Sequence, residues 1–374
     1  MATEMPLRRL GDLDVAAFME TCWQKKPVLL RGVLPRDFCP LTREDLTQLA
    51  CSEEADSRLI ISEDWPPELY HGPFEPEELE DVPDREWTLL VQEVDRLVPG
   101  ASRVLDHFRF IPNWRVDDLM VSYAAPGGGV GAHTDQYDVF LIQGLGRRRW
   151  EIDATPNRNP VWREDSEVAV LADFSATDSW EVEPGDVLYL PPHVAHNGIA
   201  LTDCMTLSVG FRAPDAAELL ESVLGYLSDS GKERYLDPDP RVAPEPGEIS
   251  GRTLADLRSR VRALLGDDEL LNQSIGRALT EPVRGRLGVQ DAVVGELPTE
   301  GVLHVVSAAQ AAHVLAPGNL VLFVAGKAYP LPVSDAAQVA SLTGTAGLNL
   351  QEGISDALRQ VLGELVAEGL VRLG

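Results

Sequence analysis

The sequence predicts a mainly β domain of the sandwich or barrel type, followed by a helical segment and a small α+β unit. Between residues 118 and 211, short apolar runs rich in β-branched and aromatic residues are separated by glycine and proline. Many short strands at such spacing are typical of a sandwich or barrel and not of a parallel α/β sheet. After Pro214, apolar residues recur at three- and four-residue spacing, as in amphipathic helices. A chain of 374 residues also exceeds one ordinary core, so several units are expected.

The N-terminal region is predicted to mix helices with a strand. The predicted helices lie at 15–22, 42–49 and 87–97, and the strand PVLLRG lies at 27–32. Thr42 and Asp45 have the spacing of a capping box at the start of the second helix.

The β-rich region follows and contains the predicted strands of the main domain. These strands lie at 118–125, 136–144, 147–153, 186–192 and 205–211. The turn Gly144-Leu145-Gly146 is expected to join the second and third of them as a hairpin.

The C-terminal part is predicted to consist of helices and then a hairpin. Helical patterns cover 216–230, 253–265 and 354–369, with a proline-rich linker at 236–248 and a hairpin centred on Gly326. The first two helices are expected to bury their apolar faces in a homodimer interface. Residues 271–374 carry more acidic than basic residues, whereas a nucleic-acid reader normally shows a basic stripe, so we expect protein contacts and no direct nucleic-acid binding there.

The charge of the chain restricts its partners. The formal net charge is -28, from 60 acidic and 32 basic residues. Such a field repels nucleic acid and anionic membranes and attracts basic polypeptides, although it could equally serve solubility alone. We see no signal peptide and no apolar run long enough to cross a membrane. The four cysteines have no CxxC spacing, so reduced thiols and a cytoplasmic location are expected.

The stretch PGGGVGAHTDQYDVFLIQG, residues 126–144, carries the strongest chemical signal. Its glycine run leads to His133-Thr134-Asp135 at the predicted start of a strand. Residues two apart in a strand point to one face, so the imidazole and the carboxylate lie side by side. With a distant histidine, such a pair forms the 2-His-1-carboxylate triad that binds non-haem Fe(II) and leaves other metal positions open.

The distant histidine is expected in EPGDVLYLPPHVAHNGIAL, residues 183–201. A turn feeds an apolar strand, and Pro191-Pro192 ends that strand before His193 and His196, which are both candidates. An isolated His-x-Asp can arise by chance, but its combination with this second motif inside a β-rich region favours a metal site.

These motifs resemble those of the JmjC-type, cupin-fold oxygenases, and most closely the bacterial ribosomal oxygenases. The matching segments are VDDLMVSYAAPGGGVGAHTDQYDVFLIQGLGRRRW and EPGDVLYLPPHVAHNGIALTDCMTLSVGFRAP. The resemblance implies a double-stranded β-helix (jelly-roll) JmjC domain with an N-terminal α/β extension at 1–213. It also implies a helical dimerisation segment at 214–270 and a winged-helix-like α+β domain at 271–374.

The same resemblance implies the ligands and the reaction. It assigns the iron ligands to His133, Asp135 and His196, and leaves His193 without a ligand role. The implied cofactors are Fe(II), the co-substrate 2-oxoglutarate and O2. The implied activity is that of a 2-oxoglutarate-dependent dioxygenase, a protein arginine 3-hydroxylase acting on large-subunit ribosomal protein sixteen with release of succinate and CO2.

The family binds the distal carboxylate of 2-oxoglutarate with a basic residue on the strand that follows the His-x-Asp strand. That strand opens here with Arg147-Arg148-Arg149, and alternation sends Arg148 to one face and its two neighbours to the other. The family alignment favours Arg148, whose guanidinium can meet a carboxylate with two parallel hydrogen bonds.

The chain departs from the family near the start of the glycine run. Relatives carry a small hydroxyl residue there that assists in binding the co-substrate, and this chain has Ala124-Ala125. Tyr123, Ser208 or Thr206 could take its place.

Two residues after the metal motif are candidates for substrate binding. Tyr137 could stack on a guanidinium and Asp138 could form an ion pair with it, or both could be ordinary strand residues. The alternatives for the whole protein are a histidine hydroxylase or N-methyl demethylase of the same class, a non-oxygenase cupin metalloprotein, and a non-enzymatic regulator.

Overall fold

The computed structural model describes most of the chain. The described residues are 6–62, 66–98, 100–212, 214–230, 234, 249–282, 293, 295–306, 309–351 and 353–374. The predicted proline-rich linker at 236–248 lies outside the described residues. Within the described ranges, no helix combines the length and apolarity that a bilayer span needs.

The N-terminal elements alternate short strands with helices. They are β1 (Arg9–Leu10), β2 (Leu13–Asp14), α1 (Val15–Thr21), β3 (Val28–Leu30), α2 (Arg43–Ala50), β4 (Ser57–Ile61), β5 (Glu68–His71), α3 (Pro76–Glu80), β6 (Trp87–Val91), α4 (Val94–Leu97) and α5 (Arg103–Asp106). The predicted capping box of α2 is present: Asp45 N donates to Thr42 Oγ1 at 3.2 Å, and Thr42 N donates to Asp45 Oδ2 at 2.8 Å.

The prediction of a helix at 87–97 is wrong in its first half. Residues Trp87–Val91 form β6, which pairs with β4 on one side and with β7 (Val116–Ala124) on the other. All five residues of β6 are buried, so the strand lacks the alternation that would distinguish it from a helix in sequence.

The remaining strands of the main domain follow β7. They are β8 (Asp138–Leu145), β9 (Arg148–Asp153), β10 (Asp178–Val182), β11 (Val187–Leu190), β12 (Ala195–Ala200) and β13 (Cys204–Phe211). Among the described residues they form two antiparallel sheets, ordered β3-β11-β8-β13-β7-β6-β4-β5 and β10-β9-β12. The predicted mainly β sandwich is therefore confirmed.

The predicted hairpin at 144–146 is wrong, because β8 and β9 belong to different sheets. The chain passes from one sheet to the other at Gly146, whose φ is +64°. A side chain at this position would lie 1.9 Å from the backbone oxygen of Asp203, so only glycine fits. Because of this crossing, β9 faces the large sheet, with Arg148, Trp150 and Ile152 buried and the intervening residues partly exposed.

Two apolar cores lie on opposite faces of the large sheet. The core between the two sheets includes Val139, Leu141, Ile152 and Leu188. The outer face packs against the N-terminal helices through an aromatic cluster. This cluster consists of Phe18, Phe108, Phe140, Tyr189 and Phe211. The polar end of the space between the sheets holds the site described below.

The C-terminal part contains helices, then two small sheets. Its elements are α6 (Ala216–Ser230), α7 (Gly251–Leu265), α8 (Asp268–Leu279), β14 (Val302–Val305), β15 (Ala311–Ala316), β16 (Asn319–Val324), β17 (Lys327–Leu331), α9 (Ala336–Thr343), β18 (Leu348–Asn349), α10 (Asp356–Ala367) and β19 (Val371–Leu373). The predicted hairpin is present, with Val324 opposite Lys327 and both Ala325 and Gly326 at positive φ. Helix α8 spans residue 270, the predicted boundary between the helical segment and the C-terminal domain.

Candidate metal centre

The glycine run positions the metal motif because it lets two backbone segments approach closely. A side chain at position 128 would lie 2.1 Å from the carbonyl oxygen of Trp87, and one at position 129 would lie 2.4 Å from that of Gly198. The run is thereby held between β6 and β12 and delivers His133 beside the end of β12.

His133 and His196 are fixed to each other by their backbones. His133 N donates to His196 O at 3.0 Å, and His196 N donates to His133 O at 2.9 Å. Asp135 O accepts from His193 N at 2.7 Å, which ties the other end of the motif to the turn just before β12. Residues far apart in sequence are thus brought into one antiparallel bridge.

The three side chains converge on one point. The ligand atoms of His133, Asp135 and His196 all lie within 4.8 Å of one another, and His196 Nε2 is 3.7 Å from Asp135 Oδ2. Within the described parts of the chain, no other group of three or more histidine, cysteine or acidic residues has this geometry.

Both imidazoles present the same nitrogen to this point. Nδ1 of His133 lies 2.9 Å from Gly131 O, and Nδ1 of His196 lies 3.0 Å from Val194 O. A carbonyl accepts, so each Nδ1 carries the proton and each Nε2 keeps a lone pair for a metal. Burial, and then the neighbouring His133, lower the pKa of His196 to about 4, so this imidazole is neutral near pH 7.

The donor set fits Fe(II). Two imidazole nitrogens and one carboxylate on one side of a buried point match the triad of non-haem iron enzymes, which leaves metal positions open to other ligands. Neutral His196 and Asp135 do not form an ion pair, so their proximity is explained by a shared metal ligand role. His193 has its side chain outside this group, as predicted.

A cavity of about 260 Å³ lies between the sheets and includes the three side chains His133, Asp135 and His196 in its wall. Its wall combines apolar side chains, among them Ile60, Leu90, Val139 and Leu141, with polar and charged ones. Arg148 lies in the same wall and is only 4 % exposed. This places a cation in the interior with the metal ligands.

Arg148 is held by hydroxyl groups and not by an acid. Its Nη1 donates to Thr206 Oγ1 at 3.1 Å and lies 3.5 Å from Ser122 Oγ. Its Nε has no partner, and no carboxylate among the described residues forms an ion pair with it. Burial lowers the pKa of Arg148 from its ordinary value. A buried cation without a counter-ion needs an anion, and a ligand carboxylate would supply one.

The sequence suggested three hydroxyl residues, and Thr206 is the one among them that accepts a hydrogen bond from Arg148. Ser208 lines the cavity as expected, but Tyr123 does not. Tyr123 lies on the other face of β7, packed against Trp87 with the Arg43 guanidinium over its ring. Strand alternation gives the physical reason, because the face of β7 that holds Ser122 cannot also hold Tyr123.

Tyr137 and Asp138 also face opposite ways. Tyr137 is 40 % exposed and lines the cavity mouth beside Asp135, where a substrate could reach it. Asp138 is fully buried and is not part of the cavity wall, so its predicted contact with a substrate guanidinium is wrong. Its carboxylate accepts from Tyr189 Oη at 2.6 Å, Gln24 Nε2 at 2.9 Å and Arg115 Nη2 at 3.1 Å.

We expect Asp138→Ala to lower the free energy of unfolding by about 3–5 kcal/mol, because it leaves a largely buried guanidinium and two other donors unpaired. Urea unfolding of the metal-free protein measures this. Asp138→Asn, which keeps one acceptor, should cost less. A loss below about 1 kcal/mol for the alanine variant would contradict the structural role.

Trp150 and Thr88 are site residues that sequence analysis missed. The Trp150 ring lies 5.8 Å from that of His196 and 5.3 Å from the Arg148 guanidinium carbon, so it packs between the metal ligand and the cation. Thr88 lines the cavity with an Oγ1 that has no partner. Alternation from Arg148 along β9 could have indicated Trp150, whereas nothing in the local sequence indicates Thr88.

Comparisons with known proteins agree with this geometry. A family model described as JmjC domain matches residues 103–219. The chain is 37% identical over 266 residues to the ribosomal protein uL16 3-hydroxylase of Escherichia coli, covering 71% of this chain and 70% of that protein. It is 35% identical over 210 residues to a probable ribosomal oxygenase of Haemophilus influenzae, covering 55% and 51% respectively.

A solved structure is similar over nearly the whole chain. The structure of Escherichia coli YcfD, a ribosomal oxygenase, in complex with cobalt and 2-oxoglutarate superposes with a TM-score of 0.77 at 30% identity. The match covers 96% of this chain and 98% of that one.

Proposed function

The chain belongs to the JmjC-domain ribosomal oxygenases, and we propose from this membership and its site that it hydroxylates an arginine of ribosomal protein uL16. It is a 2-oxoglutarate-dependent dioxygenase that uses Fe(II) and O2. The observation that carries the proposal is the convergence of His133, Asp135 and His196 in one cavity with a buried arginine that has no acidic partner among the described residues. A ribosomal-protein substrate also agrees with the predicted cytoplasmic location.

The protein's own residues would hold the metal and the co-substrate, orient the substrate and exclude water. His133, Asp135 and His196 would hold Fe(II), and Arg148, with Thr206 and Ser122, would bind the distal carboxylate of 2-oxoglutarate. Bound iron and co-substrate supply oxygen activation, in which 2-oxoglutarate is converted to succinate and CO2 and one oxygen atom enters a C–H bond. The apolar side chains of the cavity wall would keep water from the reacting carbon.

The decisive test is turnover of purified protein with Fe(II), 2-oxoglutarate, O2 and uL16. We expect succinate release that requires uL16, together with a gain of about 16 Da on the substrate, since one oxygen atom is added. Peptide mapping should place the gain on an arginine. A gain on histidine, or formaldehyde release from a methylated substrate, would replace the proposed target, and no turnover despite bound iron would refute the oxygenase assignment.

We further propose that the helical segment forms a homodimer and that the C-terminal domain is winged-helix-like. Helix α7 supports the first point, because Leu254, Leu257, Val261 and Leu265 are exposed along one face. The β15–β16–β17 sheet with helices α9 and α10 supports the second.

We expect the double variant Leu257→Glu, Val261→Glu to be monomeric, because two charges within an apolar helix face cannot be buried at low cost. Sedimentation velocity measures the change. Ser259→Glu, on the opposite side of the same helix, is the control and should remain dimeric. A monomeric wild-type protein would refute the dimer.

A further inference from the structure

A second, larger cavity opens beside the metal centre and is not explained by binding of the co-substrate. This outer groove has a volume of about 850 Å³. Asp135 and Tyr137 line both the outer groove and the inner cavity, so the two spaces meet at the metal ligands. A polypeptide lying in the outer groove would therefore have a side chain within reach of the metal ligands.

The far wall of the outer groove comes from the helical segment. Asp215, Glu218 and Leu219 belong to the start of α6 and its cap, and Leu279 and Glu281 to the end of α8. Helices α6 and α8 pack against each other and hold this wall together. The segment expected to dimerise thus also encloses the space next to the active site.

The outer groove is acidic. Its lining includes Asp117, Asp215, Glu218 and Glu281 in addition to the ligand Asp135. The cation in the lining, Arg212, is already occupied, because its Nε lies 3.7 Å from Asp117 Oδ1 and its Nη1 donates to the backbone oxygen of Glu281 at 3.0 Å. The charges that remain favour a cationic occupant.

We propose that the outer groove binds a lysine- and arginine-rich stretch of the substrate polypeptide next to the hydroxylated residue, and that Glu218 and Glu281 attract its cations. This inference rests on the proposed function and adds the determinant of substrate choice. Apolar contacts with Leu219 and Leu279 complement the charges. The helical segment therefore selects the substrate as well as joining two chains.

Charge reversal tests the proposal with the full-length enzyme and a peptide covering the uL16 target site. We expect Glu218→Lys and Glu281→Lys each to raise KM for the peptide roughly ten-fold at low ionic strength, since each changes the local charge by two. The KM for 2-oxoglutarate should not change, because the inner cavity is intact. Added salt should reduce the difference from wild type.

Two controls make the result specific. Glu269→Lys makes the same change at the exposed start of α8, away from the outer groove, and should leave KM for the peptide within about two-fold of wild type. A peptide with its flanking lysines and arginines replaced by glutamine should be a poor substrate for wild type and should not distinguish wild type from Glu218→Lys.

The outcomes separate this inference from the proposed function. Hydroxylation by wild type with no effect of Glu218→Lys or Glu281→Lys, or with an equal effect of Glu269→Lys, would refute the role of the outer groove alone. Absence of uL16 hydroxylation by wild type would refute the proposed function and this assignment together.

Discussion

Replacing His133 with alanine is expected to reduce succinate release by more than about 100-fold, because loss even of a residue that only supports a metal ligand costs 10–100-fold. The side chain supplies one of three ligand atoms that lie within 4.8 Å of one another, so its loss leaves two. Binding of Co(II) to the purified variant should weaken in parallel, which separates a metal defect from a substrate defect.

His193→Asn is the matched control for this variant. His193 lies in the turn just before β12, three residues from His196, but contributes no atom to the metal group. Its φ is +68°, a conformation that asparagine tolerates better than alanine. The control should bind Co(II) and turn over as wild type does. Substantial activity in His133→Ala, or loss of metal binding in His193→Asn, would contradict the ligand assignment.

Arg148→Met is expected to increase KM for 2-oxoglutarate by a factor between about 30 and several thousand. The reason is that truncating one partner of a buried charge pair costs about 2–5 kcal/mol. Arg148→Lys should be intermediate, since an ammonium keeps the charge but not the planar pair of donors. Steady-state kinetics with varied 2-oxoglutarate measures both variants.

The same Arg148→Met variant should not destabilise the protein without ligands. Arg148 is a buried cation with no acidic partner among the described residues, so an apolar side chain removes a desolvation cost that offsets the lost hydroxyl contacts. We expect an unfolding free energy equal to or above that of wild type. Arg147→Gln, which alters an exposed residue of the same arginine run, should leave KM unchanged. A clear loss of stability with an unchanged KM would make Arg148 a structural residue.

The metal ligands and the reaction class were predictable because their signal is local. His133 and Asp135 are two apart on one segment, and His196 follows a proline-terminated strand, so both motifs can be recognised without knowing how they meet. The capping box of α2 and the hairpin at Gly326 were predictable for the same reason. The capping box and the hairpin each depend on residues that are a few positions apart in sequence.

The partners of the buried arginine and the route of the substrate depended on the tertiary structure. Ser122 and Thr206 meet Arg148 because β9 in one sheet lies opposite the neighbouring strands β7 and β13 of the other, a relation that no local periodicity encodes. Ser122 and Tyr123 are adjacent in sequence but point to opposite faces, and so do Tyr137 and the buried Asp138. The outer groove arises where α6 and α8 lie beside the β sandwich. The sequence by itself therefore determined which chemistry the chain carries, and the packing of distant strands and helices decided which side chains surround it.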